Sequence, residues 1–221
     1  MSSNIVIGRV LSLSRKAGLV VARRMIQSRQ NVVISDDCWG GEYYKTNRMP
    51  FLSPTIGLLV RPECYIDFIK LCLDGEELTL NNMEIGKDAY PVGYCHDVEI
   101  QFQHYHSIEE AERSWNRRVK RMNEMKGKRI LFKIDFGKPG YSEKDIKSWN
   151  SLNIVNSIAL RDADNCRKND SVHSEVQIKN WINNGVSMYY LTRTQISLLK
   201  LFLVGSISRT TKFEKHIYST L

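Results

Sequence analysis

The chain has 221 residues, of which 42% are hydrophobic and 10% aromatic, so it can bury the core of a folded domain and is not a disordered chain. Although its formal net charge is +8, it has no helix-turn-helix or aromatic-and-basic strand motif that would support binding to nucleic acid. The cysteines form no CxxC pair, which disfavours a zinc knuckle and favours reduced cytoplasmic thiols: Cys38, Cys64, Cys72, Cys95 and Cys166.

Residues 1–30 are predicted to form a basic helical segment, because residues 1–35 contain six arginine and lysine residues and no acidic one. Such a segment can lie on an anionic membrane surface or contact an assembly complex. Its apolar residues do not form one clean stripe, so an ordinary packed helix with a solvated basic face is the alternative. No apolar run approaches the roughly 18 residues of a spanning helix, and Arg9 interrupts any signal-peptide core. We expect a cytoplasmic protein, at most peripheral to the inner face of the membrane.

Residues 31–208 alternate short apolar runs with helical patterns, which predicts a single α/β domain with a central mixed or mostly parallel sheet flanked by helices. Residues 209–221 are predicted to form a basic, frayed tail. Strands are expected at residues 31–34, 54–60, 98–105, 130–136, 154–160 and 186–191. Helices are expected at residues 62–74, 107–125 and 175–182, and from residues 142 and 194 onward.

Cys38 is the first candidate for a catalytic residue, because it lies in a polar turn with two glycines directly after the first strand. Such a turn exposes a thiol together with backbone N–H groups, as a nucleophile requires. The alternative is a small buried turn cysteine. His104 is predicted to point inward from the strand at 98–105, either as a catalytic base or as a core histidine.

The helix predicted at 107–125 begins with a capping box at Ser107 and carries a row of cationic side chains. Arg117, Arg118 and Arg121 lie among them and could bind a phosphate or an acidic sugar. A solvated helix face, partly neutralised by neighbouring glutamates, is the alternative interpretation.

Asp162 and Asp164 form a DxD triplet after the strand at 154–160, similar to the metal site of many sugar-nucleotide glycosyltransferases. The surrounding loop is rich in Asn and Asp, so turn formation explains the triplet without a metal. No metal site or cofactor is otherwise predicted.

Several sequence blocks, taken in order, resemble the bacterial family catalogued as domain of unknown function 1919. The blocks are residues 38–44 (CWGGEYY), 53–58 (SPTIGL), 90–93 (YPVG), 97–100 (DVEI), 102–107 (FQHYHS) and 115–118 (WNRR), with Arg121. Members of that family tend to be labelled exopolysaccharide or capsule biosynthesis proteins. The resemblance fades beyond about residue 150.

The family resemblance implies a transferase of surface-polysaccharide biosynthesis that acts on a saccharide or sugar-nucleotide substrate. In this interpretation Cys38 and His104 lie in the site, and six residues bind the substrate: Trp39, Gly40, Gly41, Arg117, Arg118 and Arg121. A non-catalytic partner of a polysaccharide assembly complex, docked through residues 1–30, is an alternative.

A weaker likeness is to papain-like cysteine proteins, which would make the chain a cysteine hydrolase or acyltransferase. Cys38 would then be the nucleophile and His104 its base. A third polar group would orient the imidazole. Asp135 is the first candidate for it, since its strand could pair with that of His104, and Asp97 is the second.

Overall fold

The computed structural model describes residues 2–125, 127–166 and 171–218, with side chains described from residue 13 onward. The helices are α1 (Ser2–Ser28), α2 (Trp39–Thr46), α3 (Pro62–Asp74), α4 (Ile108–Glu124), α5 (Glu143–Ser151), α6 (Gly185–Gln195), α7 (Leu198–Val204) and α8 (Lys212–Tyr218). The strands are β1 (Asn31–Ser35), β2 (Leu59–Val60), β3 (Leu80–Ile85), β4 (Pro91–Cys95), β5 (Val98–Gln101), β6 (Arg129–Asp135), β7 (Ser157–Asp162) and β8 (Glu175–Ile178).

A parallel sheet in the order β1-β6-β7-β8 forms the centre of the fold and confirms the predicted α/β class. Its strands are covered on both faces, as parallel sheets generally are. In β1, Val32 and Ile34 face one hydrophobic core, whereas Val33 faces a second core on the opposite face. The second core includes residues of α2, α6 and α7.

A second sheet, antiparallel and in the order β2-β5-β4-β3, lies within the same fold and was not predicted. No strand was predicted at Leu80–Ile85, because the four exposed residues of β3 leave it without a continuous apolar face. The strand expected at 54–60 is also shorter, since residues 54–57 form turns and only Leu59–Val60 pairs. Gly57 has φ +74°, a conformation that glycine adopts without strain.

Helix boundaries set by local capping agree with prediction. Pro62 begins α3 and the left-handed Gly75 ends it, while the Ser107 side chain accepts a hydrogen bond from Glu110 N at the start of α4. Trp115 anchors α4 in the core, and its indole donates to Leu78 O.

The C-terminal region differs from prediction at four points. Residues 175–182 contain the strand β8 rather than a helix, and residues 186–191 lie in α6 rather than in a strand. Asn184 decides the second case, because its side chain accepts from Ser187 N and caps the helix. No helix starts at Thr194, which lies in the last turn of α6, and Ser197 caps α7 instead. The expected frayed tail contains α8.

Helix α8 packs against α1, so the last described helix contacts the first. Ala22 and Ile26 of α1 are buried, whereas Leu13, Val20 and Val21 are exposed, as the prediction of mixed apolar faces implies. Among the described residues, no helix has both the length and the apolar character that a membrane span requires.

Candidate active site

Cys38 and His104 meet in the structure, with 3.4 Å between Sγ and Nε2. Cys38 follows β1 and occupies the N-cap position of α2, where its backbone carbonyl accepts from Glu42 N. His104 lies in the turn between β5 and α4. Each sheet therefore contributes one member of the pair.

The prediction that His104 points inward is wrong, because β5 ends at Gln101 and the alternation of a strand does not continue to residue 104. Tyr105 takes the buried place instead and its hydroxyl donates to Ile56 O. His104 is exposed and lines two cavities. A neutral imidazole protonated on Nδ1 would accept the Cys38 proton on Nε2.

The first turn of α2 directly follows Cys38, and the backbone N–H groups of the first turn of a helix have no carbonyl partner within the helix. Trp39 N is satisfied by Asp37 Oδ1 at 2.9 Å. Gly40 is needed for packing, because a Cβ there would lie 3.0 Å from the Ser35 Cβ. Gly41 lines one of the cavities. The N-terminus of α2 thus lies at the cysteine, an arrangement found in many nucleophilic thiol sites.

Trp39, expected to bind substrate, is fully buried. Its indole lies against Tyr189 and Phe202 and donates to Thr192 Oγ1 at 3.4 Å. Trp39 therefore joins α2 to α6 and α7, and it is a core residue of the site's framework.

Burial raises the pKa of the Cys38 thiol above its ordinary value, and the carboxylate of Asp37 acts in the same direction. Lys45 and Lys138 oppose this shift, but their effect is smaller. Cys38 is consequently a protonated thiol at neutral pH, and a reaction at its sulfur needs a base to accept the proton.

A cluster of charged side chains, which was not predicted from the sequence, lies next to the cysteine. Lys133 Nζ lies 2.8 Å from Asp36 Oδ1 and 3.0 Å from Asp37 Oδ2, and Lys138 Nζ lies 2.8 Å and 2.7 Å from the Oδ2 atoms of the same residues. The cluster forms because β1 and β6 are parallel neighbours whose carboxyl ends meet at one edge of the sheet. The available signal was a lysine within the apolar run of β6.

The pKa values of two carboxyl groups at this cluster are shifted in opposite directions. Burial opposes ionisation of Asp37, but Lys133 and Lys138 outweigh it and hold the pKa of Asp37 well below its ordinary value. Burial raises the pKa of Asp135 to about 6, against the influence of Lys133 and with that of Asp36. Asp37 is thus the permanent anion that positions the Cys38 turn.

Neither carboxylate proposed to orient His104 hydrogen-bonds the imidazole. Asp135 Oδ1 accepts from Gly137 N and from Trp181 Nε1, because β6 pairs with β1 and β7 rather than with the strand before His104. Asp97 is exposed in the turn between β4 and β5. Within the described parts of the chain, Cys38 is the one hydrogen-bond partner of His104.

Two cavities of about 450 and 460 Å³ adjoin the pair, and Cys38, His104 and Val186 line both. The first cavity is also lined by Asp37, Lys138 and the start of α6. The second extends to α4 and is lined by Lys45, Arg117 and Arg118, among others. The thiol therefore lies where two ligand-sized spaces join.

The three arginines expected to bind substrate occupy different environments. Arg118 is only 6% exposed, so it does not belong to the exposed cationic face expected on α4, whereas Arg117 is exposed and lines the second cavity. Arg121 is exposed, and its Nη1 donates a hydrogen bond to Phe51 O at 3.4 Å. It does not line either cavity.

The DxD triplet lies at the end of β7, beside a third cavity lined by Asp162 and Trp181. Asp162 accepts hydrogen bonds from Asp164 N and from Asn165 Nδ2, which is the contact pattern of a polar turn. Among the described residues, no group of three or more His, Cys, Asp or Glu side chains is arranged to hold a metal ion. Metal binding at Asp162 and Asp164 stays a prediction.

Residues 12–200 match the sequence profile of a family described as "Domain of unknown function (DUF1919)". A curated relative from Haemophilus influenzae, named "Uncharacterized protein", is 30% identical over 136 residues. That match covers 62% of this chain and 64% of the relative, so the chain spans less than two thirds of the length of the relative it matches. Neither description names a reaction or a substrate.

Proposed function

The chain belongs to the DUF1919 family, and we propose that it is a cysteine-dependent acyl-transfer enzyme in which Cys38 is the nucleophile and His104 its base. The 3.4 Å contact between Cys38 Sγ and His104 Nε2 carries this proposal. A thiol and an imidazole at this distance, at a helix N-terminus and beside cavities, can form and resolve a thioester.

The first step begins with the protonated thiol. Cys38 Sγ attacks the carbonyl carbon of an acyl donor, and its proton moves to His104 Nε2. The bond between the carbonyl carbon and the leaving group breaks, and His104 returns the proton to that group. In the first turn of α2 the N–H of Trp39 is already bonded to Asp37, so those of Gly40 and Gly41 are the ones suited to stabilise the negative charge on the carbonyl oxygen. The product is an acyl thioester on Cys38.

The second step regenerates the enzyme. His104 accepts a proton from water or from an acceptor hydroxyl, whose oxygen attacks the thioester carbonyl. The carbon–sulfur bond breaks, and Cys38 regains a proton from the imidazolium. Water gives a hydrolase, and a hydroxyl acceptor gives a transferase.

A role in surface-polysaccharide biosynthesis is compatible with this chemistry, because sugar hydroxyls are acceptors for acyl groups. The support for it is the label that the resembling family carries, and no contact in the site selects a sugar. Glycosyl transfer is the other reaction expected from the sequence. It would require a sugar-nucleotide donor, bound through a metal ion at Asp162 and Asp164.

The test is to trap the acyl-enzyme with p-nitrophenyl acetate and to locate the acetyl group by peptide mass spectrometry. We expect acetylation at Cys38 in the wild-type protein, none at that position in Cys38→Ala, and a slow reaction in His104→Asn. Cys166 is a matched internal control, because it is also partly buried and the contact that the described residues give its Sγ is with Ala163 O, at 3.8 Å, and not with an imidazole. Equal acetylation of Cys38 and Cys166 would refute the proposal.

A further inference from the structure

We propose that the substrate of the Cys38 and His104 site carries an anionic group, a carboxylate or a phosphate, which Arg118 and Arg117 bind in the second cavity. This inference rests on the proposed function for the reaction at Cys38. It adds the chemical class of the substrate and the location of its charge.

Arg118 is a buried cation without a buried anion. Its Nη1 donates to Ile56 O at 2.6 Å and to the Tyr105 hydroxyl, and both acceptors are uncharged. Among the described residues, its buried Nε has no hydrogen-bond partner, and no carboxylate lies within 4.0 Å of the guanidinium. The guanidinium also lies over the rings of Phe51 and Tyr105, at 5.4 and 5.8 Å from their centroids.

Such an arrangement is costly for the free protein. A buried guanidinium loses its hydration, and contacts to a carbonyl and to aromatic rings replace only part of it. Because Arg118 lines the second cavity, a ligand there can supply the missing anion. A planar guanidinium matches the two oxygens of a carboxylate or of a phosphate.

The remaining charges of the cavity favour the same ligand. Lys45 and Arg117 are exposed cations on its lining, and Lys45 is already paired with Glu42 at 2.8 Å. Glu110 contributes one carboxylate, whose Oε2 accepts from His106 N at 3.3 Å. The described lining therefore has three cations and one anion, so its field attracts negative charge.

The position of the arginines relates the anion to the reaction. Cys38, His104 and Gly41 line the same cavity as Arg117 and Arg118. An anion held by the arginines would orient a substrate whose acyl carbon lies at the thiol, while the first cavity remains for the other part of the substrate.

Two alkylating reagents of similar size test the inference on the intact protein. Iodoacetate carries a carboxylate and iodoacetamide is its neutral counterpart, and mass spectrometry gives the rate of each at Cys38. The ratio of the iodoacetate rate to the iodoacetamide rate should fall about tenfold in Arg118→Lys and in Arg117→Gln, since each loses part of a charge-assisted contact. Using the ratio removes changes in the intrinsic reactivity of the thiol.

Arg113→Gln is the matched control, because Arg113 is an exposed residue of α4 that lines neither cavity. It removes the same charge from the same helix, and we expect less than a twofold change in its ratio. Arg117→Gln keeps the test valid if the Arg118 variant folds poorly, since Arg117 is exposed. Ratios in both test variants that equal the Arg113→Gln ratio would overturn the inference.

Protection separates the two anion classes at constant ionic strength. Slowing of Cys38 alkylation by inorganic phosphate but not by acetate indicates a phosphate-bearing substrate, and the reverse indicates a carboxylate. Absence of protection by either would contradict the inference. If instead Cys38 is no more reactive than Cys166, the proposed function fails, and calorimetric titration with phosphate or acetate, compared with Arg117→Gln, still tests the anion site.

Discussion

Cys38 Sγ and His104 Nε2 lie 3.4 Å apart although the residues are 66 positions apart in the chain. The cysteine follows a strand of the parallel sheet, and the histidine follows a strand of the antiparallel sheet. The hydrophobic core that the two sheets share therefore brings the pair together. A change that loosens this packing should weaken the site without touching either residue.

The pH dependence of alkylation should reveal the environment of Cys38. Because burial and Asp37 raise its pKa, the rate with iodoacetamide should reach half of its plateau at a higher pH than for an unburied cysteine. Asp37→Asn should move this midpoint downward, since it removes a negative charge next to the thiol. The measurement is the alkylation rate at Cys38 between about pH 6 and pH 10, a range that includes the ordinary pKa of a thiol, about 8.5. A midpoint that rises in Asp37→Asn would contradict the account.

Asp135→Asn should stabilise the protein above pH 6 and have little effect near pH 4. Asp135 has a folded-state pKa of about 6, above its ordinary value of 3.8, so its favourable contribution is complete below pH 3.8 and is lost as the pH rises through 6. The amide keeps an acceptor for Gly137 N and Trp181 Nε1. We expect a gain on the order of 1–3 kcal/mol at pH 8 in urea unfolding.

Asp37→Asn should have the opposite effect on stability. The pKa of Asp37 is lowered by Lys133 and Lys138 against the effect of burial, so its contribution is present above pH 3.8 and is lost as the pH falls. Loss of this buried anion should cost about 3 kcal/mol at pH 7. Asp97→Asn is the control, because Asp97 is exposed, and it should change the free energy of unfolding by less than about 0.5 kcal/mol. Equal effects of the two substitutions would argue against the charge cluster.

Glu214→Ala should destabilise the fold, although Glu214 lies in the basic segment expected to be a frayed tail. Its carboxylate is 1% exposed and accepts from Ser197 Oγ, Leu199 N, Thr211 N and Thr211 Oγ1. Loss of these bonds leaves buried donors unsatisfied and should cost about 2–3 kcal/mol. Glu124→Ala, at an exposed site, provides the comparison in the same urea unfolding assay. Unchanged stability in Glu214→Ala would mean that α8 is not docked.

Helix α1 should bind anionic lipid vesicles if residues 1–30 contact a membrane surface. Leu13, Val20 and Val21 are exposed apolar residues near the exposed cations Lys16 and Arg24. Leu13→Asp with Val20→Asp should abolish sedimentation with phosphatidylserine vesicles, and neutral vesicles should not bind the wild-type protein. Equal sedimentation of the wild-type protein and the double variant would contradict membrane binding through the exposed apolar residues of α1.

Features encoded by adjacent residues were predictable from the sequence. The strand at Asn31–Ser35, the start of α3 at Pro62 and the cap of α4 at Ser107 each depend on neighbouring side chains. The exposed strand β3 has no apolar alternation to reveal it. Val186 and its neighbours in α6 have apolar, aromatic side chains that suit a strand, but capping by Asn184 and tertiary packing make them helical.

The site was predictable only in part, because its members come from distant parts of the chain. The turn after β1 indicated Cys38, and the strand pattern before residue 105 indicated His104. The direction of the His104 side chain, however, depends on where β5 ends. The charge cluster of Asp36, Asp37 and Lys133 depends on the pairing of β1 with β6, which no local pattern specifies. Burial of Arg118 likewise follows from the packing of α4 against the turn at Ile56.

The most direct test of the pair is the rate at which iodoacetamide modifies Cys38 at pH 7 in the wild-type protein and in His104→Asn. Because the Cys38 thiol is protonated at this pH, its reaction depends on transfer of the proton to His104. We predict that the rate at Cys38 falls about 10²-fold in His104→Asn while the rate at Cys166 is unchanged. Equal rates at Cys38 in the two proteins would contradict the account.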